Sequence, residues 1–72
     1  MHIVINGQSR DLAELSAAST VADLVAALAL KGDRVAIEHN GSIVTRSEWG
    51  GAAIREGDRF EIVHFVGGGA WA

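Results

Sequence analysis

Hydrophobic and polar positions along the chain divide it into short strands and one helix. His2 to Ile5 is a brief apolar run closed by Asn6-Gly7, a dipeptide that suits a two-residue hairpin turn, and Gln8 to Leu15 continues with apolar residues at Leu12 and Leu15. The pattern predicts strand, turn, strand. From Thr20 to Leu30 the period changes: Val21, Leu24, Val25 and Leu28 fall at the i, i+3, i+4, i+7 spacing of one helical face, and alanines fill much of the rest. Thr20 is the predicted N-cap. Asp23, three residues on, makes a short-chain version of the capping box and puts an acid at the positive end of the helix dipole. Lys31 and Gly32 are expected to close the helix.

Arg34 to His39 alternates loosely, Asn40-Gly41 repeats the turn signal, and Ile43-Val44 follows, which predicts a second pair of strands. Ser47-Glu48-Trp49 reads as a single helical turn interrupted by Gly50-Gly51, and Ile54 to Asp58 as a turn. Arg59 to Val66 is the longest predicted strand, with Phe60, Ile62 and His64 on one face and Glu61, Val63 and Phe65 on the other. Gly67-Gly68-Gly69 then ends the pattern. The expected fold is therefore α+β: a mixed sheet of four to five strands with one main helix covering one face. No repeat, linker or second domain is visible.

Composition narrows what such a domain can do. Of 72 residues 49% are hydrophobic, and many of these are alanine, so one small core forms and an internal active site has little room. The chain has no cysteine, which excludes a disulfide framework, a thiolate nucleophile, an iron–sulfur cluster and a zinc ribbon. A net charge of −3 with six dispersed basic residues argues against nucleic acid as a partner. Neither a targeting pattern at Met1 to Ile5 nor an apolar run of membrane-spanning length is present, so a cytoplasmic protein is expected. Glu14, Glu38, Glu48, Glu56 and Glu61 read as surface charge. His2, His39 and His64 lack helical pairing or an acidic partner pattern, so no metal site is expected, and the serines match no nucleophile elbow.

The glycine tract has two readings from composition alone. One is a frayed terminus. The other is a tail without Cβ atoms, slender enough to thread a narrow channel and reaching about 10–14 Å beyond the last strand, which would deliver a backbone carboxylate into another protein's active site.

Residues 1–69 as a whole resemble the sulfur carrier proteins of thiamine biosynthesis, the ThiS family, short ubiquitin-like β-grasp chains that finish in Gly-Gly. The likeness is carried by His2-Ile3-Val4-Ile5-Asn6-Gly7, by Thr20-Val21-Ala22-Asp23-Leu24-Val25, and by the stretch from Val35 through Asn40-Gly41 to Val44. Arg46-Ser47-Glu48-Trp49 and Glu56-Gly57-Asp58-Arg59-Phe60-Glu61-Ile62-Val63, running into Val66-Gly67-Gly68-Gly69, complete it. Two departures stand out. The family commonly has Val-Pro-Arg where this chain has Val44-Thr45-Arg46, and Ala70-Trp71-Ala72 follows Gly69, the position of the family's terminal glycine.

What the resemblance implies is a β-grasp domain over residues 1–66, a reactive tail at 67–69 and a masking extension at 70–72. The carrier would catalyse nothing and bind no cofactor. An E1-like adenylyltransferase would use ATP to adenylate the Gly69 carboxyl, and a persulfide from a cysteine desulfurase or similar donor would convert it to a thiocarboxylate. Thiazole synthase would then take the sulfur. Gly67 and Gly68 would form the slender arm, Phe65 and Val66 an apolar patch for docking partners or, equally, ordinary packing at the strand end. A metalloprotease would cut between Gly69 and Ala70. Carriers of the same fold serving cysteine, molybdopterin or tRNA thiolation are the nearest alternative, and a non-covalent β-grasp interaction module is the alternative of another class.

Overall fold

The computed structural model of the protein describes residues 1–65. Both Asn-Gly pairs make the expected turns. At Asn6 and Gly7 φ is 49° and 80°, and at Asn40 and Gly41 it is 50° and 89°. Two successive left-handed residues give the turn whose twist matches its flanking strands, which is why asparagine and glycine suit it. The first turn joins β1 (His2–Ile5) to β2 (Gln8–Asp11), and the second joins β3 (Val35–His39) to β4 (Ser42–Val44).

β5 (Arg59–His64) lies between the two hairpins, parallel to β1 and antiparallel to β3, in the order β2-β1-β5-β3-β4. A parallel pair cannot be joined by a hairpin; here α1 (Val21–Ala27) lies in the connection between the first and last strands. This is the mixed, helix-covered β-grasp sheet that the resemblance implied. Inward residues of the three central strands, Ile3, Ile5, Val35, Ile37, Phe60 and Ile62, join Val21, Leu24 and Val25 of the helix in one core. Phe60 is its largest fully buried side chain. β2 stops at Asp11, earlier than the apolar pattern suggested, because Leu12 and Leu15 are buried by a bend in which the Leu12 N–H donates to the Met1 carbonyl (2.8 Å).

At the start of α1 the capping box forms as expected: the Asp23 carboxylate accepts from the Thr20 N–H (2.8 Å) and Thr20 Oγ1 accepts from the Asp23 N–H (3.4 Å). Its end differs from expectation. The helix stops at Ala27, and the Leu30 and Ala29 N–H groups return to the carbonyls of Val25 and Ala26. That pair of bonds is a Schellman motif, with Ala29 in the left-handed position (φ 55°) where glycine usually sits. Gly32 serves another purpose. It opens a 3-10 turn, Gly32–Arg34, and a Cβ there would lie 3.2 Å from the Trp49 ring, so the glycine makes room for the indole.

Gly50-Gly51 do not interrupt the second helical segment either. A 3-10 helix runs from Arg46 to Gly51, led by Thr45, whose N–H donates to Glu48 Oε1 (3.0 Å). Thr45, the departure from the family's proline, is thus an N-cap. Trp49 is buried below it, its Nε1 donating to the Val44 carbonyl (2.9 Å).

Candidate functional site

The strand that leads into the glycine tract is held from both sides. Against β3 its register runs from Phe60 opposite His39 to His64 opposite Val35, and the Phe65 N–H donates to the Arg34 carbonyl (2.8 Å). On the other side β1 ends at Ile5, and the Asn6 side chain continues the ladder. Its Oδ1 accepts from the Ile62 N–H (2.7 Å) and its Nδ2 donates to the Ile62 carbonyl (3.2 Å). Asparagine at this turn therefore supplies both the left-handed backbone and a substitute strand edge. Gly67, Gly68, Gly69, Val66 and Ala70 lie outside the described residues.

The sheet face away from α1 carries exposed apolar side chains. Val63 is 58% exposed and Phe65 41%, while Ile43, on β4, is 72% exposed. Register sets Val63 opposite Ala36, and places Glu38 between Glu61 on one neighbouring strand and Ile43 on the other. Two carboxylates opposite each other in a ladder are locally unfavourable. Arg59 lines the same hollow as Glu38 and Glu61, so a cation already stands beside the acidic pair, and the exposed apolar side chains are the feature of this face that suits contact. The alternation in β5 signals Val63 together with Phe65. Ile43 belongs to another hairpin, and only the strand register brings it alongside. His64 shares the inward face of Phe60 and Ile62, as expected, but is exposed at the strand's end.

At the opposite end of β5 sits a polar node that the sequence did not suggest. His39 Nε2 lies 2.7 Å from Asp58 Oδ2, with both side chains largely buried, and the imidazole stacks on Phe60 at 4.6 Å with the rings 5° from parallel. Asp58 also accepts from the Arg55 N–H (2.8 Å) and Asn40 Nδ2 (3.2 Å). Burial alone would raise the Asp58 pKa. The bonds from His39, Arg55 and Asn40, with the His39 charge, outweigh it, and the carboxyl is held below its ordinary value.

His2, too, has acidic neighbours, Glu56 at 3.3 Å and Asp11 at 3.8 Å. The expectation that the histidines lack acidic partners is corrected for two of the three. These pairs join residues 9 to 54 positions apart, which no local pattern reveals. The node ties the β3–β4 turn to the start of β5 and is structural. Glu48, capping Thr45, has its pKa lowered by the Thr45 hydroxyl and then by the Thr45 N–H. Among the described residues no cluster of three or more His, Asp or Glu could hold a metal ion, and no helix is long and apolar enough to cross a membrane.

The match to known proteins extends through the glycines. A model of the ThiS family fits residues 3–69, from the first buried residue of β1 to the third glycine. The chain belongs to the ThiS family. Its fold agrees with two solved structures from Geobacter metallireducens. One is a crystal structure of a thiamine biosynthesis protein (ThiS), TM-score 0.80 and 26% identical over 94% of this chain and 99% of that one. The other is a solution structure of a thiamine biosynthesis protein, TM-score 0.74 and 27% identical over 94% and 87% of the two chains.

Among curated proteins, a thiazole synthase of Paramagnetospirillum magneticum is 41% identical over 97% of this chain and 21% of its own length. A thiazole synthase of Magnetococcus marinus is 35% identical over 96% and 20%. This ThiS-family chain thus spans about a fifth of the length of the curated relatives it matches.

Proposed function

We propose that this chain is a sulfur carrier of thiamine biosynthesis, a protein co-substrate whose reactive group is the carboxyl of Gly69. The observation that carries the reading is the family match through Gly69 on a domain whose last strand ends a few residues before it. A carboxylate resists attack by sulfur, so an E1-like adenylyltransferase first joins it to the α-phosphorus of ATP, releasing pyrophosphate. The terminal sulfur of a persulfide, from a cysteine desulfurase or similar donor, attacks the acyl carbon and expels AMP. Cleavage of the remaining S–S bond by a second thiol leaves the thiocarboxylate on Gly69 and a disulfide on the donor. The chain has no cysteine, so both thiols come from partners. The thiocarboxylate then gives its sulfur to thiazole synthase, and the names of the two curated relatives support that partner.

In this scheme Gly67 and Gly68 thread the partners' channels because they carry no Cβ. Val63, Phe65 and Ile43 dock the domain. With Ala70 present, the Gly69 carboxyl is an amide, so a protease, here a metalloprotease, must hydrolyse the Gly69–Ala70 bond first. Two measurements test this. A chain ending at Gly69 supports ATP–pyrophosphate exchange with the adenylyltransferase, whereas the 72-residue chain does not; equal exchange by both refutes the masking. Intact mass from the native host shows loss of residues 70–72 and replacement of oxygen by sulfur; a mass that always matches the unmodified 72 residues refutes the carrier reading.

A further inference from the structure

Each hairpin turn sets an asparagine before a glycine, a pair in which the side-chain amide is open to attack by the backbone because no Cβ shields the glycine nitrogen. Both asparagines also brace β5, in matching ways. The Asn6 N–H donates to the Phe60 carbonyl (2.9 Å) while its side chain clamps the main chain of Ile62. The Asn40 N–H donates to the Arg59 carbonyl (2.8 Å), its Oδ1 accepts from the Arg59 N–H (2.9 Å), and its Nδ2 donates to Asp58 Oδ1 (3.2 Å). Their surroundings differ. The side-chain bonds of Asn6 are partly buried, on a buried residue of β5, and its turn springs from β1, which is paired on both sides. Those of Asn40 are exposed to water, and its turn is closed by β4, a three-residue edge strand.

We propose that Asn40 is a deamidation site of the folded protein, whereas Asn6 is protected from the same reaction until the sheet opens. The Gly41 nitrogen gives its proton to solvent and attacks Asn40 Cγ, the C–N bond of the side-chain amide breaks, and ammonia leaves with a proton taken from water. The five-membered succinimide that remains is hydrolysed at either carbonyl, to aspartate or to isoaspartate. One water is consumed and one ammonia released, with no change of oxidation state. A held amide must let go of both side-chain bonds before it can present Cγ to the glycine nitrogen. That local opening costs less at Asn40, where water replaces the exposed bonds, than at Asn6, where the strand ladder is broken as well. Either product sets a carboxylate where Nδ2 donated to Asp58, and brings a third acid to the hollow that Arg59 shares with Glu38 and Glu61. Asp58 thereby exchanges one of its donors for a like charge, and the His39–Asp58 node weakens.

No step of this needs ATP or a partner, so the proposal stands or falls apart from the carrier reading. Its test is peptide mapping of the intact 72-residue chain, aged at mildly alkaline pH in native buffer and, separately, in urea. In native buffer aspartate and isoaspartate accumulate at position 40 while Asn6 keeps its amide; in urea the two asparagines convert at comparable rates. Conversion of Asn6 as fast as Asn40 in native buffer, or none at Asn40, overturns the proposal. A preference for Asn40 that persists undiminished in urea lies in the local sequence and overturns the protection of Asn6 by the fold. Asn40→Asp isolates the effect on the node, since aspartate accepts the same left-handed backbone. It lowers the urea midpoint of unfolding, and lowers it less when Asp58→Ala is already present. An equal loss in both backgrounds refutes the weakening of the node.

Discussion

Asp58→Ala removes the acceptor on which three donors converge, and its cost follows from the geometry. The carboxylate accepts from the Arg55 N–H at 2.8 Å, from Asn40 Nδ2 at 3.2 Å, and pairs with His39 Nε2 at 2.7 Å. Hydrogen bonds to a charged group contribute about 1.5–3 kcal/mol each, but the Arg55 and Asn40 donors are exposed and recover water, so only the His39 bond counts nearly in full. The expected loss is about 2–3 kcal/mol at pH 7, and a drop in Tm of roughly 8–24 °C for a domain of this size.

The pH dependence has a definite sign. A carboxyl held below its unfolded pKa contributes stability that is fully present above that pKa, near 4, and is lost as pH falls through the lower folded value. Glu48 titrates in the same window, so the useful quantity is the difference between wild type and variant, in which the Glu48 contribution cancels. Urea unfolding of both proteins from pH 7 to pH 2.5 measures it. The difference shrinks as pH falls below 4. A penalty under about 0.5 kcal/mol at pH 7, or one that does not change with pH, refutes the account of the node.

The other predictions address the helix end, the core and the open face. Ala29→Gly removes a left-handed alanine that costs about 1–2 kcal/mol, partly offset by glycine entropy, so urea unfolding shows a gain of about 0.5–1 kcal/mol. Phe60→Ala leaves a cavity under the His39 ring and loses about 3–5 kcal/mol by the same measurement. Glu61→Thr relieves the like-charge pair with Glu38 and stabilises the free domain by about 0.2–1 kcal/mol, while calorimetry shows weaker binding to the proposed adenylyltransferase partner. Val63→Asp leaves Tm almost unchanged, because the side chain is exposed, and lowers affinity for the same partner about tenfold or more, worth about 1.4 kcal/mol.

How legible these features are in the sequence depends on how far apart their parts lie. The two Asn-Gly turns, the Thr20 cap and the alternation in β5 are each written within a few residues, and each forms as the local chemistry dictates. The helix end was misread because glycine is the usual left-handed residue, whereas Ala29 takes that role and Gly32 lies where a Cβ would crowd the Trp49 ring. Gly50-Gly51 were misread because a glycine pair breaks an isolated helix, but here the Thr45 cap and the buried Trp49 hold the turn in place. The Asn6 clamp on Ile62 spans 56 positions and the His39–Asp58 pair 19, and only the folded sheet brings such partners together. For the candidate site, Phe65 was readable from alternation, whereas Ile43 and the Glu38–Glu61 pair emerge from register.

The two faces of the sheet obey different rules, and that difference bears on function. On the helix side polar groups are capped or paired and no described buried side-chain nitrogen or oxygen lacks a partner. At the edges of the sheet β2 is wholly polar and exposed, and β4 is only three residues long, so neither offers a long apolar edge to a neighbour. On the open face the pattern is reversed. Val63 and Ile43 are left exposed, and Glu38 faces Glu61, although threonine or a basic residue at either position would be locally better. Arg59 stands beside the acidic pair, so the exposed Val63 and Ile43 are the features of this face on which the proposed docking rests. In the proposed function Val63 and Phe65 matter because they are, among the described residues, the exposed large apolar side chains that come nearest to Gly69 in sequence.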